Sequence, residues 1–262
     1  METLVYLLII FLILISTFAT SLGGLGAAFI IIPILLAFGY SIELASIMGL
    51  SFNFINTFTA STRHYRQKAI EFEVSVPIIL VSFIGAPVGA LLVNYIPSKE
   101  LKLIFAVVLI LIAANNIFKL YRSKNNGETN ENISDQNPIE HQLILSLIIG
   151  FFVGFVSGLL GIGGGALVLP LLLYFKIPPK KAAGTTSFIV VFSSFVGVIS
   201  KLLINNYNFD YTLFFGGIIV SIIGALLGSY FMHFKLKQAQ IKLIISLLIA
   251  GVGIKMILDY FY

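Results

Sequence analysis

The sequence predicts an all-α polytopic membrane protein of two homologous, inverted repeats, each a Gly-broken helical hairpin plus three transmembrane helices, about 8–10 membrane segments in all. Composition is the first reason. Of 262 residues, 58% are hydrophobic and 10% charged, too little polar surface to cover a water-soluble globule of this size. Self-similarity is the second. Ser21-Leu-Gly-Gly-Leu-Gly-Ala-Ala-Phe-Ile-Ile-Ile-Pro33 is answered by Gly158-Leu-Leu-Gly-Ile-Gly-Gly-Gly-Ala-Leu-Val-Leu-Pro170, and Val81-Ser-Phe-Ile-Gly85-Ala-Pro-Val-Gly89 by Val220-Ser-Ile-Ile-Gly224-Ala-Leu-Leu-Gly228. Ile70-Glu71 and Phe209-Asp210 stand ahead of the second pair, so the halves near 1–121 and 141–262 read as homologous. The third reason is where Lys and Arg fall between the apolar runs.

Each half contains four runs: 3–38, 42–62, 74–96 and 101–121, then 141–175, 182–204, 211–233 and 239–260. A transmembrane helix needs about 20 apolar residues. The opening run of each half has about 35, and as one straight helix it would extend roughly 50 Å against a hydrocarbon core of about 30 Å. It must fold at its glycines, as two short crossings or as a re-entrant pair of half-helices. Leu4 onward reads as a retained membrane segment, because no basic flank precedes it and the run outlasts a cleavable signal. Residues 122–140 are polar, lack apolar periodicity and are rich in turn formers, which predicts a flexible linker.

If the opening run crosses once, Lys and Arg divide eight to eight and give no orientation. If it is a hairpin with no net crossing, twelve of the sixteen fall on the side of the linker and four on the other. The second count obeys the positive-inside rule and makes the number of spans per half odd, so the repeats are inverted. Both termini are then expected outside and the linker in the cytoplasm. Zero cysteines leaves no disulfide and no thiolate ligand or nucleophile. The net charge of +5 sits mainly in loops and reads as a topology signal, so no nucleic acid partner is expected.

Candidate substrate-binding residues start with the breaks, Gly23, Gly24 and Gly26 in one half and Gly161, Gly163, Gly164 and Gly165 in the other. Successive residues without Cβ let backbone N–H groups converge, and the following helix adds the positive end of its dipole, together an anion site. Close helix packing or a tight hairpin needs the same glycines, and both readings stand. Whether the breaks lie at the midplane or the membrane surface stays open. A second constellation is Ala182-Ala-Gly184-Thr185-Thr186-Ser187, answered by Ser51, Asn53 and Asn56. Hydroxyls and amides donate to an oxyanion without adding an unpaired buried charge, although capping and back-bonding to the preceding turn are their other uses. The third is Arg63, His64 and Arg66, which reads either as a cationic cytoplasmic mouth or as a topology determinant among lipid headgroups. Its counterpart keeps only Lys201, which argues against two-fold use.

Absences narrow the function. All eleven Asp and Glu residues lie at run ends or in loops, leaving no carboxylate deep in a run to carry protons or bind cations. No zinc spacing, Walker loop or Ser/His/Asp arrangement is present, and Gly161-x-Gly163 has neither the preceding strand nor the acidic residue of a dinucleotide fingerprint. No enzymatic activity, cofactor or metal is expected.

At these residues the chain resembles the TauE/SafE sulfite exporter family, also described as the toluene sulfonate uptake permease family. The resemblance covers nearly the whole chain. It rests on Gly161-Ile-Gly-Gly-Gly165 with Pro170, on Ala183-Gly-Thr-Thr-Ser187, on the copies near Gly24 and Ser51, and on His64-x-Arg66 followed by Ile70-Glu71. Lys201 stands where the second half of the family often has histidine. The resemblance implies a bacterial inner-membrane permease that moves sulfite or organosulfonates, usually outward. A small anion and the lipid bilayer are the partners this implies. The alternatives are an exporter of a neutral or cationic metabolite, or a non-transporting partner subunit.

Overall fold

A computed structural model describes residues 2–92, 139–160, 163–175, 177–204 and 209–234, with isolated positions between 95 and 118 and between 243 and 258. The runs 101–121 and 239–260 and the linker up to residue 138 lie largely outside the described residues. The described elements are all helices: α1 (Glu2–Ser21), α2 (Ala28–Ala37), α3 (Ile42–Arg66), α4 (Phe72–Leu92), α5 (Ile139–Leu160), α6 (Gly165–Tyr174), α7 (Pro179–Ile204) and α8 (Tyr211–Phe234).

Both opening runs divide at their glycines. Each yields a long helix followed by a ten-residue one, α2 or α6, about 15 Å in length or half a hydrocarbon core. Segments of α1, α4, α7 and α8 are long and apolar enough to cross a membrane: Leu4–Ser21, Phe72–Leu92, Pro179–Ile204 and Tyr211–Met232. Several boundaries shift from the sequence expectation, two of them for a local reason. The helix expected to end at residue 62 continues to Arg66, because basic residues in a last turn complement the C-terminal end of the helix dipole. The helix expected from residue 182 starts at Pro179, where a proline costs no hydrogen bond because a first-turn N–H has no intrahelical partner.

Large apolar side chains such as Leu7, Phe11, Leu80, Ile84, Phe215 and Ile219 face outward, as lipid requires. Polar ones point inward. Ser46, Asn53, Asn56, Thr57, Ser61 and His64 are all buried on α3, and Thr185, Thr186, Ser187, Ser193, Ser194, Ser200 and Lys201 on α7, so these two helices form the polar axis of the bundle.

Glycine stripes set the remaining helix contacts. A Cβ on Gly150, Gly154 or Gly158 of α5 would run into the backbone of Ile78, Ser82 or Ala86, so α4 and α5 lie side by side and parallel. In the same way Gly216, Gly224 and Gly228 of α8 rest on Ile10, Thr17 and Phe18, so α1 and α8 are also parallel. Small residues that admit close backbone approach are the usual means of helix association in lipid. The duplicated Gly85-x-x-x-Gly89 and Gly224-x-x-x-Gly228 segments are thus contact seams, each joining a helix of one half to a helix of the other. The pair α3 and α7 differs: Asn53 meets Ser194, and Leu50 meets Gly197, so these two run antiparallel. The α7 start, with Lys180 and Lys181, therefore lies at the end of the bundle where α3 closes with Arg63, His64 and Arg66.

Candidate functional site

The two breaks need glycine for a stated reason. Gly24 (φ 67°), Gly26 (φ 76°), Gly163 (φ 75°) and Gly164 (φ 72°) all lie in the left-handed region that side chains with a Cβ rarely adopt. In the first break, Gly23 N and Leu25 N donate to Thr20 O at 3.1 and 3.3 Å and close the end of α1. Gly23 is buried without any such strain. Gly161 lies outside the described residues. Gly163 and Gly164 carry the second break, and Gly165 opens α6 directly against Leu25 O of the first. The breaks abut each other.

Asn53 joins them. Its Oδ1 accepts from Ala27 N and from Ala28 N, the latter at 3.3 Å, and so caps the N-terminus of α2 from a different helix. Its Nδ2 donates to Ser194 Oγ at 2.7 Å, and the neighbouring Ser193 Oγ donates to Gly163 O at 2.6 Å. Asn53 sits near the middle of the 25-residue α3, and Ser194 a little past the middle of the 26-residue α7. The breaks therefore lie midway along the α3–α7 pair.

One side of this junction holds polar atoms without partners. Gly24 packs on Ala183 O and on Ser187 Oγ, and Ser21 Oγ donates to Asn56 Oδ1 at 2.7 Å. Ser187 Oγ, Thr186 Oγ1 and Asn56 Nδ2 are buried with no hydrogen-bond partner among the described residues, as is Ser46 Oγ on the opposite side of Asn53. Thr186 shares a helix face with Val190 and Ser193, both of which touch Gly163. Buried polar groups are almost always paired, so several orphans along one interface mark a place where a ligand or water belongs.

Other predicted residues have partners within the protein. Ser51 Oγ donates to Ile47 O at 2.8 Å, a back-bond within α3. Thr185 Oγ1 accepts from Glu71 N at 2.9 Å, and Lys181 Nζ pairs with Glu71 Oε1 at 2.7 Å, together tying the start of α7 to the approach to α4. The basic trio separates. Arg63 reaches α8, donating to Leu226 O at 3.2 Å with its guanidinium 5.4 Å from the Tyr230 ring centroid, Arg66 is exposed, and His64 is fully buried. Among the described residues no group of three His, Asp or Glu side chains is placed to hold a metal ion. Ser21, Ser46, Ser193 and Ser194 escape the sequence reading. Two adjacent serines in the apolar centre of α7 are the signal that could have found Ser193 and Ser194.

The family description sulfite exporter TauE/SafE matches residues 8–256. The chain belongs to this family. It is 30% identical over 251 residues to the probable membrane transporter protein MJ0441 of Methanocaldococcus jannaschii, covering 91% of this chain and 90% of that protein. It is 26% identical over 232 residues to the probable membrane transporter protein YunE of Bacillus subtilis, covering 79% and 82%. Sulfite exporter TauE/SafE family protein 6 of Arabidopsis thaliana is 30% identical over 129 residues, 48% of this chain and 30% of that protein. No solved structure matches the chain. The protein is a multi-pass membrane transporter of the TauE/SafE family, and the glycine junction between α3 and α7 is its candidate site.

Proposed function

We propose that this transporter moves small anions, sulfite or organosulfonates, outward across the bacterial plasma membrane through the seam between α3 and α7. The observation that carries the reading is the meeting of both glycine breaks midway along α3 and α7, beside the buried, unpartnered hydroxyls of Thr186 and Ser187 and the unpartnered Nδ2 of Asn56. Hydroxyl and amide N–H groups are donors suited to sulfonate oxygens, and no carboxylate lies among them to repel an anion. The two halves, near 1–121 and 141–262, act as inverted repeats: the antiparallel run of α3 against α7, with α1 parallel to α8 and α4 to α5, supports that arrangement. Arg63, Arg66, Lys68, Lys180 and Lys181 gather at one end, which we assign to the cytoplasm together with the linker. Exposure of the junction to one side and then the other gives alternating access.

The test is uptake of radiolabelled sulfite and a panel of sulfonates into liposomes holding only this protein, with sulfate, chloride and an amino acid as controls. Saturable flux of a sulfur oxyanion supports the reading. Flux of a neutral or cationic solute alone, or none from folded protein, overturns it.

A further inference from the structure

We propose that Lys201 and the hydroxyl of Ser46 form an oxyanion-binding position at the end of the α3–α7 seam where α3 starts and α7 closes. The proposal rests on the transport reading above. Lys201 is 4% exposed and makes no hydrogen bond or ion pair with any described residue. Burying an ammonium without a counterion is costly, and such a charge persists where a ligand of opposite sign completes it. The acidic groups at this end do not pair with it. Glu43 is exposed in the first turn of α3 and acts on Lys201 only through its field. Asp210 accepts from Thr212 N and Leu213 N at 3.1 and 3.2 Å and is used as a helix cap.

Register supplies the second group. Ser194 faces Asn53 and Gly197 faces Leu50, so one further turn along the antiparallel pair brings Lys201 to the level of Ser46. Ser46 Oγ is itself buried and without a partner among the described residues. A compact cation beside a hydroxyl donor is the chemistry a small oxyanion needs. The offset of 137 residues that relates Gly26 to Gly163 and Pro33 to Pro170 also relates His64 to Lys201. His64 is fully buried toward the opposite end of α3, so the seam carries a basic side chain inside the bundle at either end. On this proposal the buried Lys201 answers the buried His64, where the sequence shows only a lone lysine near the end of a run.

The experiment follows the thermal unfolding of purified full-length protein in detergent against sodium sulfite, with sodium chloride at matched ionic strength as control. Wild-type protein is expected to gain stability with sulfite. Lys201→Met should weaken the apparent sulfite affinity by about 10- to 100-fold, the range for a charge-assisted hydrogen bond, without lowering the ligand-free Tm. Lys201→Arg should recover most of that loss. An unchanged affinity in Lys201→Met with a normal wild-type response removes this proposal and leaves the transport reading intact. Loss of the fold in both Lys201→Met and Lys201→Gln would make the lysine structural and overturns it. A wild-type protein that neither binds nor carries any anion withdraws the transport reading and this proposal with it.

Discussion

Asn53 and Thr186 sit close to the same junction and should respond oppositely to substitution. Asn53 uses both ends of its amide, one on the α2 N-terminus and the other on Ser194, so Asn53→Leu strands Ala27 N, Ala28 N and Ser194 Oγ in the interior. A loss of about 2 kcal/mol or more is expected, read as a lower unfolding midpoint, with flux lost alongside. Thr186 has no partner to lose. Thr186→Val keeps shape and removes an unsatisfied hydroxyl, so thermal stability should stay level or rise by about 1 kcal/mol. Sulfite flux should nevertheless fall about tenfold, the equivalent of one lost hydrogen bond. A valine variant with normal flux would take Thr186 out of the site. Gly163 cannot separate function from folding in this way, since its φ of 75° and its contact with the Asn53 amide both forbid a Cβ.

Elements were legible in the sequence where their cause was local, and illegible where it came from another helix. Apolar length alone located α1, α4, α7 and α8, and paired glycines located the breaks. What the spacing could not tell is that Gly85 and Gly89 serve the α4–α5 seam, because their neighbours Phe151 and Phe155 belong to the other half. Asn53 was legible as a polar residue in an apolar run, but its partner lies 141 residues away and its role as a cap for α2 needed the fold. Ser51 and Thr185 looked equal to Thr186 in sequence, and only the bonds to Ile47 O and Glu71 N set them apart. The seams carry their own prediction. Gly158→Val puts a Cβ into the Ala86 carbonyl, a backbone atom that cannot swing aside, so α4 and α5 must separate and the protein should aggregate on size exclusion. Gly251→Ala, where nothing lies within 4 Å, should leave the elution profile unchanged.

At the scale of the molecule, helix direction and charge placement make one joint claim about orientation. α3 and α8 run parallel, since Phe52 meets Gly217 and Arg63 meets Leu226, so Gln67 just past the end of α3 and Tyr211 at the start of α8 lie at opposite ends of the bundle. Arg63, Arg66 and Lys68 cluster at the Gln67 end, whereas Glu43 and Asp210 mark the other. On the orientation proposed above, a cytoplasmic excess of Lys and Arg puts Gln67 inside and Tyr211 outside. The chain has no cysteine, so single introduced cysteines report position without background. A membrane-impermeant maleimide applied to intact cells should label Tyr211→Cys, while Gln67→Cys and Asn130→Cys should react only after permeabilisation. The opposite pattern would reverse the orientation and make the basic end extracellular. Labelling of Gln67→Cys and Tyr211→Cys from one side would be more damaging, because α3 and α8 could then not each cross the bilayer, and the proposal of inverted repeats would fall with it.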